Sequence, residues 1–561
     1  MIFLDFVFKH RAFTWIVLLL LIVIGFAAYL SMSRSEDPYV EPPVVSVSVI
    51  APGMSPVDLE SQILDPLEEE MLPIEGIDHL FGSCESGVVR VLAFLSASAD
   101  QGQVKDDIES ALDAARRDFP AGVSREDVFA PNTLNVKFIQ IAITGKDISP
   151  RERQHFGQDL IDNLRALNSL EKIEMQGDRE EQIRVELRPE MLAERGISFT
   201  RVAEIIQASG TTLPLGNVNV GARSFNVLGI SEYNSMEQLG NLVIKGGLSP
   251  LHLRDVANLS LADGDSTHLV RVNGVPSVLI VAEQKPGLNV FDVVQEVKKT
   301  VAQFEATLPS GASVVWIFDQ SIEVDRRINT FLVNLLQAIV LVGLIIAFAL
   351  GWRPSLVVML AIPVSFVISF AFIYWAGYGL HQMTISAMII SLGLLVDNSI
   401  VVTESINMQL LAGKSALNAA RIGTSQVAGA IVAATATTLL AFLPIALIQD
   451  AAGDFIRSMP VSVMLILAAS LLVALTMSPL VSVHVMRPHT FDEQPWAVRK
   501  LYIFVKGPYQ RALRWCLNHR NRVLFFATAA FVGTMSLFPL IGQSFFPKSD
   551  KPLLLVDVKL A

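Results

Sequence analysis

Between Met383 and Val402 the sequence reads MTISAMIISLGLLVDNSIVV, and Asp397 is its only ionisable side chain. A carboxylate at the middle of a bilayer costs about 2.5–3.5 kcal/mol on insertion scales, so it is retained only with a partner or a task. Desolvation favours the protonated acid and a neighbouring cation favours the carboxylate, so a cation that approaches and withdraws could make this group load and release a proton. Thr384, Ser391, Asn398 and Ser405 recur every seven residues, and Gly393, Asp397 and Glu404 fall on an adjoining strip. Together they predict a polar stripe that faces other helices. Other chemistry finds little support. Gly413-Lys414-Ser415 resembles the end of a phosphate loop, but Met408 stands where the loop needs glycine. The histidines show no metal-ligand spacing and there is no GxSxG elbow, so neither a cofactor nor a metal is expected, and an enzyme is unsupported.

The elements that must position Asp397 follow from composition. Of the 561 residues, 52% are apolar and 17% charged, against about 25% charged in a soluble chain. The net charge of −11 argues against a nucleic-acid partner, and two cysteines cannot build a four-cysteine metal site. Ala12–Met32 is an uncharged stretch of 21 residues, long enough to cross a core of about 30 Å and too long for a signal-peptide core. Six more spans are predicted at Thr330–Leu350, Leu356–Ala376, Met383–Val402, Val427–Ile448, Met459–Met486 and Val523–Ile541. The loop before the last carries eight bases against two acids, which places it in the cytoplasm. Alternation then puts residues 33–328, with 45 acids and 26 bases, outside. Cys84 and Cys516 fall on opposite sides of the membrane and cannot pair.

Within the outer region the hydrophobic period alternates between two and 3.6 residues. Strands are predicted at Val44–Ile50, Asp78–Cys84 and Val88–Leu95, with helices at Ser55–Met71 and Gln101–Phe119. The order recurs with strands at Val136–Ile143, Lys172–Met175, Gln182–Leu187, Ser277–Glu283 and Ser313–Ile317 and helices at Pro150–Leu167 and Val290–Leu308. Gly210–Gly229, rich in Gly, Asn and Thr, reads as a long, protruding hairpin loop. Tyr502–Leu517 reads as a basic amphipathic helix on the inner membrane surface. At an offset of 509 residues His10-Arg11 meets His519-Arg520, Pro38 meets Pro547, Pro43 meets Pro552 and Val47 meets Val556. Such internal repeats are common in transporters, and this one predicts a chain that ends as its second copy begins.

This order of one span, a large outer domain, five spans, a basic helix and a repeated first span resembles the resistance-nodulation-division (RND) efflux transporters. The specific signal is Gly393-Leu394-Leu395-Val396-Asp397-Asn398-Ser399-Ile400-Val401-Val402, similar to that family's fourth-helix motif. Pro52-Gly53-Met54-Ser55-Pro56, Arg353, Pro363, Phe442-Leu443-Pro444 and Leu475-Thr476-Met477-Ser478-Pro479 support it. The resemblance fits best the hydrophobe and amphiphile branch, of the acriflavine resistance type. It implies the N-terminal half of an α-helical polytopic membrane protein of the multidrug efflux transporter fold, with a periplasmic α+β region of ferredoxin-like porter subdomains, truncated after the seventh transmembrane helix. The implied division is a first transmembrane helix at 1–32, one porter subdomain at 33–133 and a second at 134–180 and 265–328. A docking-type subdomain with a hairpin loop follows at 181–264, transmembrane helices 2–6 at 329–487, a cytoplasmic linker helix at 488–520, the seventh transmembrane helix at 521–541 and the start of a second porter repeat at 542–561.

The resemblance further implies a homotrimer in the bacterial inner membrane that exchanges protons for hydrophobic or amphiphilic substrates, working with a periplasmic adaptor and an outer-membrane channel. Asp397 and Asn398 would translocate the proton, supported by Thr384, Ser391, Gly393 and Glu404; Phe138 and Gln176 would line the substrate pocket. Drug pumps of this family usually carry two adjacent aspartates, where this chain has Asp397-Asn398. Gln176 stands where a second phenylalanine is often found, and the Gly210–Gly229 hairpin is short for a loop that locks protomers together. Two alternatives share the architecture: an RND-type lipid or protein exporter, and a non-transporting membrane-anchored scaffold or sensor.

Overall fold

The computed structural model describes residues 2–540 except 86, 97–98, 121, 124, 134–136, 147, 179–180, 210–212, 221–222, 230–234, 247–249, 264–268, 449, 488–499 and 501–502. The expected repeat at 542–561 and much of the linker at 488–520 lie outside the described residues. The region between the first and second long apolar helices begins with β1 (Val44–Ile50), whose Val45, Val47 and Val49 point into the core while the intervening residues point outward, the alternation a half-buried strand requires. Ser55 then caps a helix by accepting from the Asp58 N–H, with Pro56 at its first position. A π-turn at Glu60–Leu64 precedes the continuation at Asp65–Met71. Pro66, which lacks an N–H, supplies a local cause for that widened turn. After β2 (Ile77–Glu85) and β3 (Val88–Leu95), Asp100 caps the helix Gln101–Ala115. The layer closes with β4 (Arg125–Phe129) in an antiparallel sheet of order β2-β3-β1-β4. Leu59, Ile63, Leu67 and Ile108 seal one face of it, each buried side chain contributing about 1.5–3 kcal/mol.

The same β-α-β-β-α-β plan is built again, with an insertion. β5 (Ile139–Thr144), the helix Pro150–Arg165 and β6 (Leu170–Gln176) come first. The chain then leaves through β7 (Glu181–Leu187), forms the helices Pro189–Arg195 and Phe199–Ser209, and turns through β8 (Leu213–Val220) and β9 (Arg223–Gly229). The expected hairpin loop is thus a paired two-stranded ribbon, joined from Leu213↔Gly229 to Val220↔Arg223. β10 (Val243–Lys245) and β11 (Leu251–His252) pair, and β12 (Ala257–Asp263) returns alongside β7 over its full length. β13 (Val270–Val272) folds back on β14 (Val275–Gln284); the helix Val290–Glu305 and β15 (Ser313–Asp319) complete the layer, ordered β6-β14-β5-β15. Periodicity misses β4, whose REDVF sequence carries only two apolar residues.

Six helices are long and apolar enough to cross a membrane among the described residues: Arg11–Ser31, Gln320–Leu350, Trp352–Trp375, Gln382–Leu411, Ala416–Ala446 and Ala452–Val485. The last is interrupted at Thr476, between Ala451–Leu475 and Met477–Val485. The expected seventh span is the exposed helix Arg520–Leu537, which opens on Arg520 and Arg522 and falls outside that group. Close backbone approach, rather than large side chains, sets two of the helix crossings. A Cβ on Gly25 would lie 1.9 Å from the Val367 carbonyl oxygen of Trp352–Trp375, and one on Gly423 would lie 2.8 Å from the Ile406 nitrogen of Gln382–Leu411. Small residues at such points let helices pack without a hydrophobic driving force. The basic helix is present at Gln510–Asn518, with Arg511, Arg514, Leu513 and Trp515 all exposed.

Candidate functional site

The helix Gln382–Leu411 opens after His381 at its N-cap. Thr384 Oγ1 accepts from the His381 N–H at 2.9 Å. Ser391 donates to the Ala387 carbonyl at 2.7 Å, and both Thr384 and Ser391 are fully buried. The heptad stripe does face other helices. Asn398 Oδ1 receives the Thr435 hydroxyl at 3.4 Å, Ser399 and Ser478 meet at 3.4 Å, and Ser405 donates to the Gly423 carbonyl at 2.9 Å. Ser470 donates across to the Leu395 carbonyl at 2.7 Å. Sequence reasoning did not find Thr435, Ser470 or Ser478 as partners, although Ser478 belongs to the Leu475–Pro479 motif.

The adjoining strip behaves differently from expectation. Gly393, Asp397 and Glu404 are exposed, together with Val401 and Met408. A strip 100° round the helix from a packed seam needs a further helix to cover it, and among the described residues none does. No side chain among them pairs with Asp397. Asp397 therefore stands on a face left open among the described residues, flanked by Gly393, where an added Cβ would meet nothing within 4 Å.

The two pocket candidates are not brought together. Phe138 immediately precedes β5 and is enclosed in the core at 1% exposure, among Ile139, Leu160 and Val324. Gln176, half-buried, ends β6 two strands away; Ile139 is level with Ala282 and Ile173, whereas Gln176 is level with Leu279 and Ala142. Phe138 lies one residue before Ile139, so it is offset from Gln176 by about four residues, roughly 13 Å along the sheet. Spacing in sequence cannot show this, because register across β14 decides it.

His381, at the N-terminal end of the Asp397 helix, is buried, and its Nδ1 has no partner among the described residues. Burial pushes its imidazole down from 6.5 to about 4. The unfolded chain takes up a proton near pH 6.5 that the folded chain refuses until about pH 4, so stability is full above 6.5 and declines through that window, by up to about 3 kcal/mol. The thermal midpoint of the purified protein should fall correspondingly between pH 6.5 and 4, and the fall should flatten in His381→Gln. An identical pH profile for the two would exclude His381 as its source.

The profile of the AcrB/AcrD/AcrF family matches residues 3–561. The multidrug resistance protein MdtC of Yersinia enterocolitica is 26% identical over 535 residues, which are 94% of this chain and 52% of that protein. MdtC of Pectobacterium atrosepticum is 26% identical over 550 residues, 97% of this chain and 54% of its own length. The chain spans about half the length of these curated relatives. With the family profile running along nearly all of it, the chain belongs to the AcrB/AcrD/AcrF family of RND permeases.

Proposed function

We propose that this chain supplies the first half of a proton-driven efflux permease of the bacterial inner membrane. The observation that carries the reading is Asp397, the only ionisable group between Met383 and Val402, held on the open face of a helix whose Asn398 and Ser405 side chains bond to the neighbouring helix Ala416–Ala446. In the intact permease a further helical segment covers this face and brings a cation toward Asp397. The acid binds a proton when the cation withdraws and loses it when the cation returns. Asn398 stays bonded toward Thr435 and keeps Asp397 turned to the open side. One proton moving down about 100 mV yields roughly 2.3 kcal/mol and one pH unit adds about 1.4, enough for a substrate gradient of several hundredfold.

The two β-α-β-β-α-β layers serve as ferredoxin-like porter subdomains, 33–133 and 134–180 with 265–328. The insertion 181–264 is a docking subdomain toward an outer-membrane channel. A periplasmic adaptor and a homotrimeric assembly complete the exporter, and its substrates are hydrophobic or amphiphilic compounds, as the multidrug resistance names of the relatives indicate for those proteins. Full enclosure of Phe138 favours a second reading, in which the same machine exports a lipid or protein. Accumulation of dye or of lipid in a deletion strain separates the two.

The test of coupling uses the intact permease in liposomes carrying a pH gradient and a lumenal pH dye. A hydrophobic dye substrate should accelerate collapse of the gradient, and dye movement should stop when an ionophore removes it. Dye export that continues without any gradient would overturn the proton-driven reading.

A further inference from the structure

The segment Ser33–Asp37, between the first membrane helix and β1, joins three parts of the molecule. The Leu380 N–H donates to the Ser33 carbonyl at 2.8 Å, Ser35 N–H to Leu380 at 3.2 Å and Gln382 N–H to Glu36 at 2.9 Å. On its other side the Val290 N–H donates to the Arg34 carbonyl at 3.0 Å. The segment is therefore stapled both to the start of the Asp397 helix and to the first residue of the outer helix Val290–Glu305.

At its centre is Glu36, with only 2% of its surface exposed. A buried carboxylate needs charged and hydrogen-bonding partners, and two of them come from one helix. Gln320 Nε2 donates to Glu36 at 2.8 Å, and Arg327 Nη2 donates at 3.2 Å. The two are seven residues apart on Gln320–Leu350, so they share a face. Each reaches onward in a different direction. The Gln320 N–H donates to the Phe138 carbonyl at 3.0 Å, in the core of the second outer layer. Arg327 Nη1 donates to Gln382 Oε1 at 2.5 Å, on the first residue of the Asp397 helix, and Gln382 in turn donates to Asp37. From Gln382 to Asp397 the connection is one continuous helix of about 22 Å.

We infer that Glu36 is a positioning residue that couples the outer layer at Phe138 to the Asp397 helix, through Gln320 on one side and Arg327 with Gln382 on the other. This rests on the proton-driven reading. A small shift of the Asp397 helix on protonation moves Gln382, hence Arg327, and Glu36 passes the movement to Gln320 and the strand at Phe138. Glu36 neither touches substrate nor carries the transported proton. The charge of Glu36 holds both donors at once, which a neutral side chain of equal shape does not do.

Spatial continuity alone does not establish coupling, so the test must read coupling itself. Glu36→Gln in the intact permease, assayed in pH-gradient liposomes, should reduce substrate-stimulated proton flux by at least about tenfold. Basal, substrate-independent proton flux and thermal midpoint should stay within about twofold and a few degrees of the parent. Arg327→Met should give the same uncoupling, and the double variant should be no worse than either single change, since both remove one connection. Gln382→Ala, which leaves Glu36 paired with Gln320 and Arg327, should uncouple partially and serves as the deciding variant if Glu36→Gln fails to fold. Undiminished substrate stimulation in Glu36→Gln or Gln382→Ala overturns the inference, as does a loss of basal and stimulated flux in equal proportion in a folded variant. A parent permease that moves no protons at all takes down the proton-driven reading and this inference together, whereas a coupled parent with an unaffected variant removes only this one.

Discussion

Asp397→Asn should abolish export while leaving the permease folded and inserted. The substitution preserves shape, and among the described residues no side chain depends on the Asp397 carboxylate, so no internal bond is lost. What disappears is the ability to change charge. Positioned proton-transfer groups contribute about 10²–10⁴ in rate, so transport should fall at least about a hundredfold. Drug tolerance of a strain producing the variant should drop to that of the deletion, while immunoblots of the membrane fraction show an unchanged level. Normal tolerance at normal level would mean that the proton travels elsewhere. Glu404, two turns along the same open strip, would then be the next carboxylate to examine.

The largest structural effect is expected at Gly25. The helix Arg11–Ser31 approaches Trp352–Trp375 so closely that a methyl group there would lie 1.9 Å from the Val367 carbonyl oxygen, far inside any van der Waals contact. The obstacle is backbone, which cannot rotate out of the way as a side chain end can. Overpacking typically costs about 1–3 kcal/mol and more where the neighbour is rigid. Gly25→Leu should therefore deplete folded protein from the membrane, and Gly25→Ala should lower the thermal midpoint by several degrees. Gly393→Ala provides the contrast, since its Cβ meets nothing within 4 Å. If Gly25→Ala and Gly393→Ala were equally stable, close approach at Gly25 would not be what holds these helices.

Much of this arrangement is written locally in the chain. Ser55-Pro56 announces a helix start, Val44–Ile50 alternates with period two, and the uncharged runs locate the membrane helices, although Gln320–Leu350, Gln382–Leu411 and Ala416–Ala446 each extend well beyond the run at one end. β4 escapes because its REDVF pattern owes its place to pairing with β1, a tertiary effect that no five-residue window contains. The Gly210–Gly229 region reads as loop because Gly and Asn are poor strand formers, yet β8 and β9 pair across it. For the site, the heptad of Thr384, Ser391 and Asn398 predicts which face is packed. It does not predict which bonds satisfy that face, since Thr435, Ser470 and Ser478 lie on other helices. The Glu36 connection is invisible for the same reason: its partners are nearly 300 residues away in sequence.

β7 and β12 run side by side from Glu181↔Asp263 to Leu187↔Ala257. Everything between them hangs from a single two-stranded stem whose roots are neighbours. Closing a loop of any length across such a stem carries an entropic cost that grows only slowly with length. Nature can thus graft, lengthen or exchange this module without disturbing the layer from which it grows, leaving the distal end free to diversify while the membrane machinery keeps its shape.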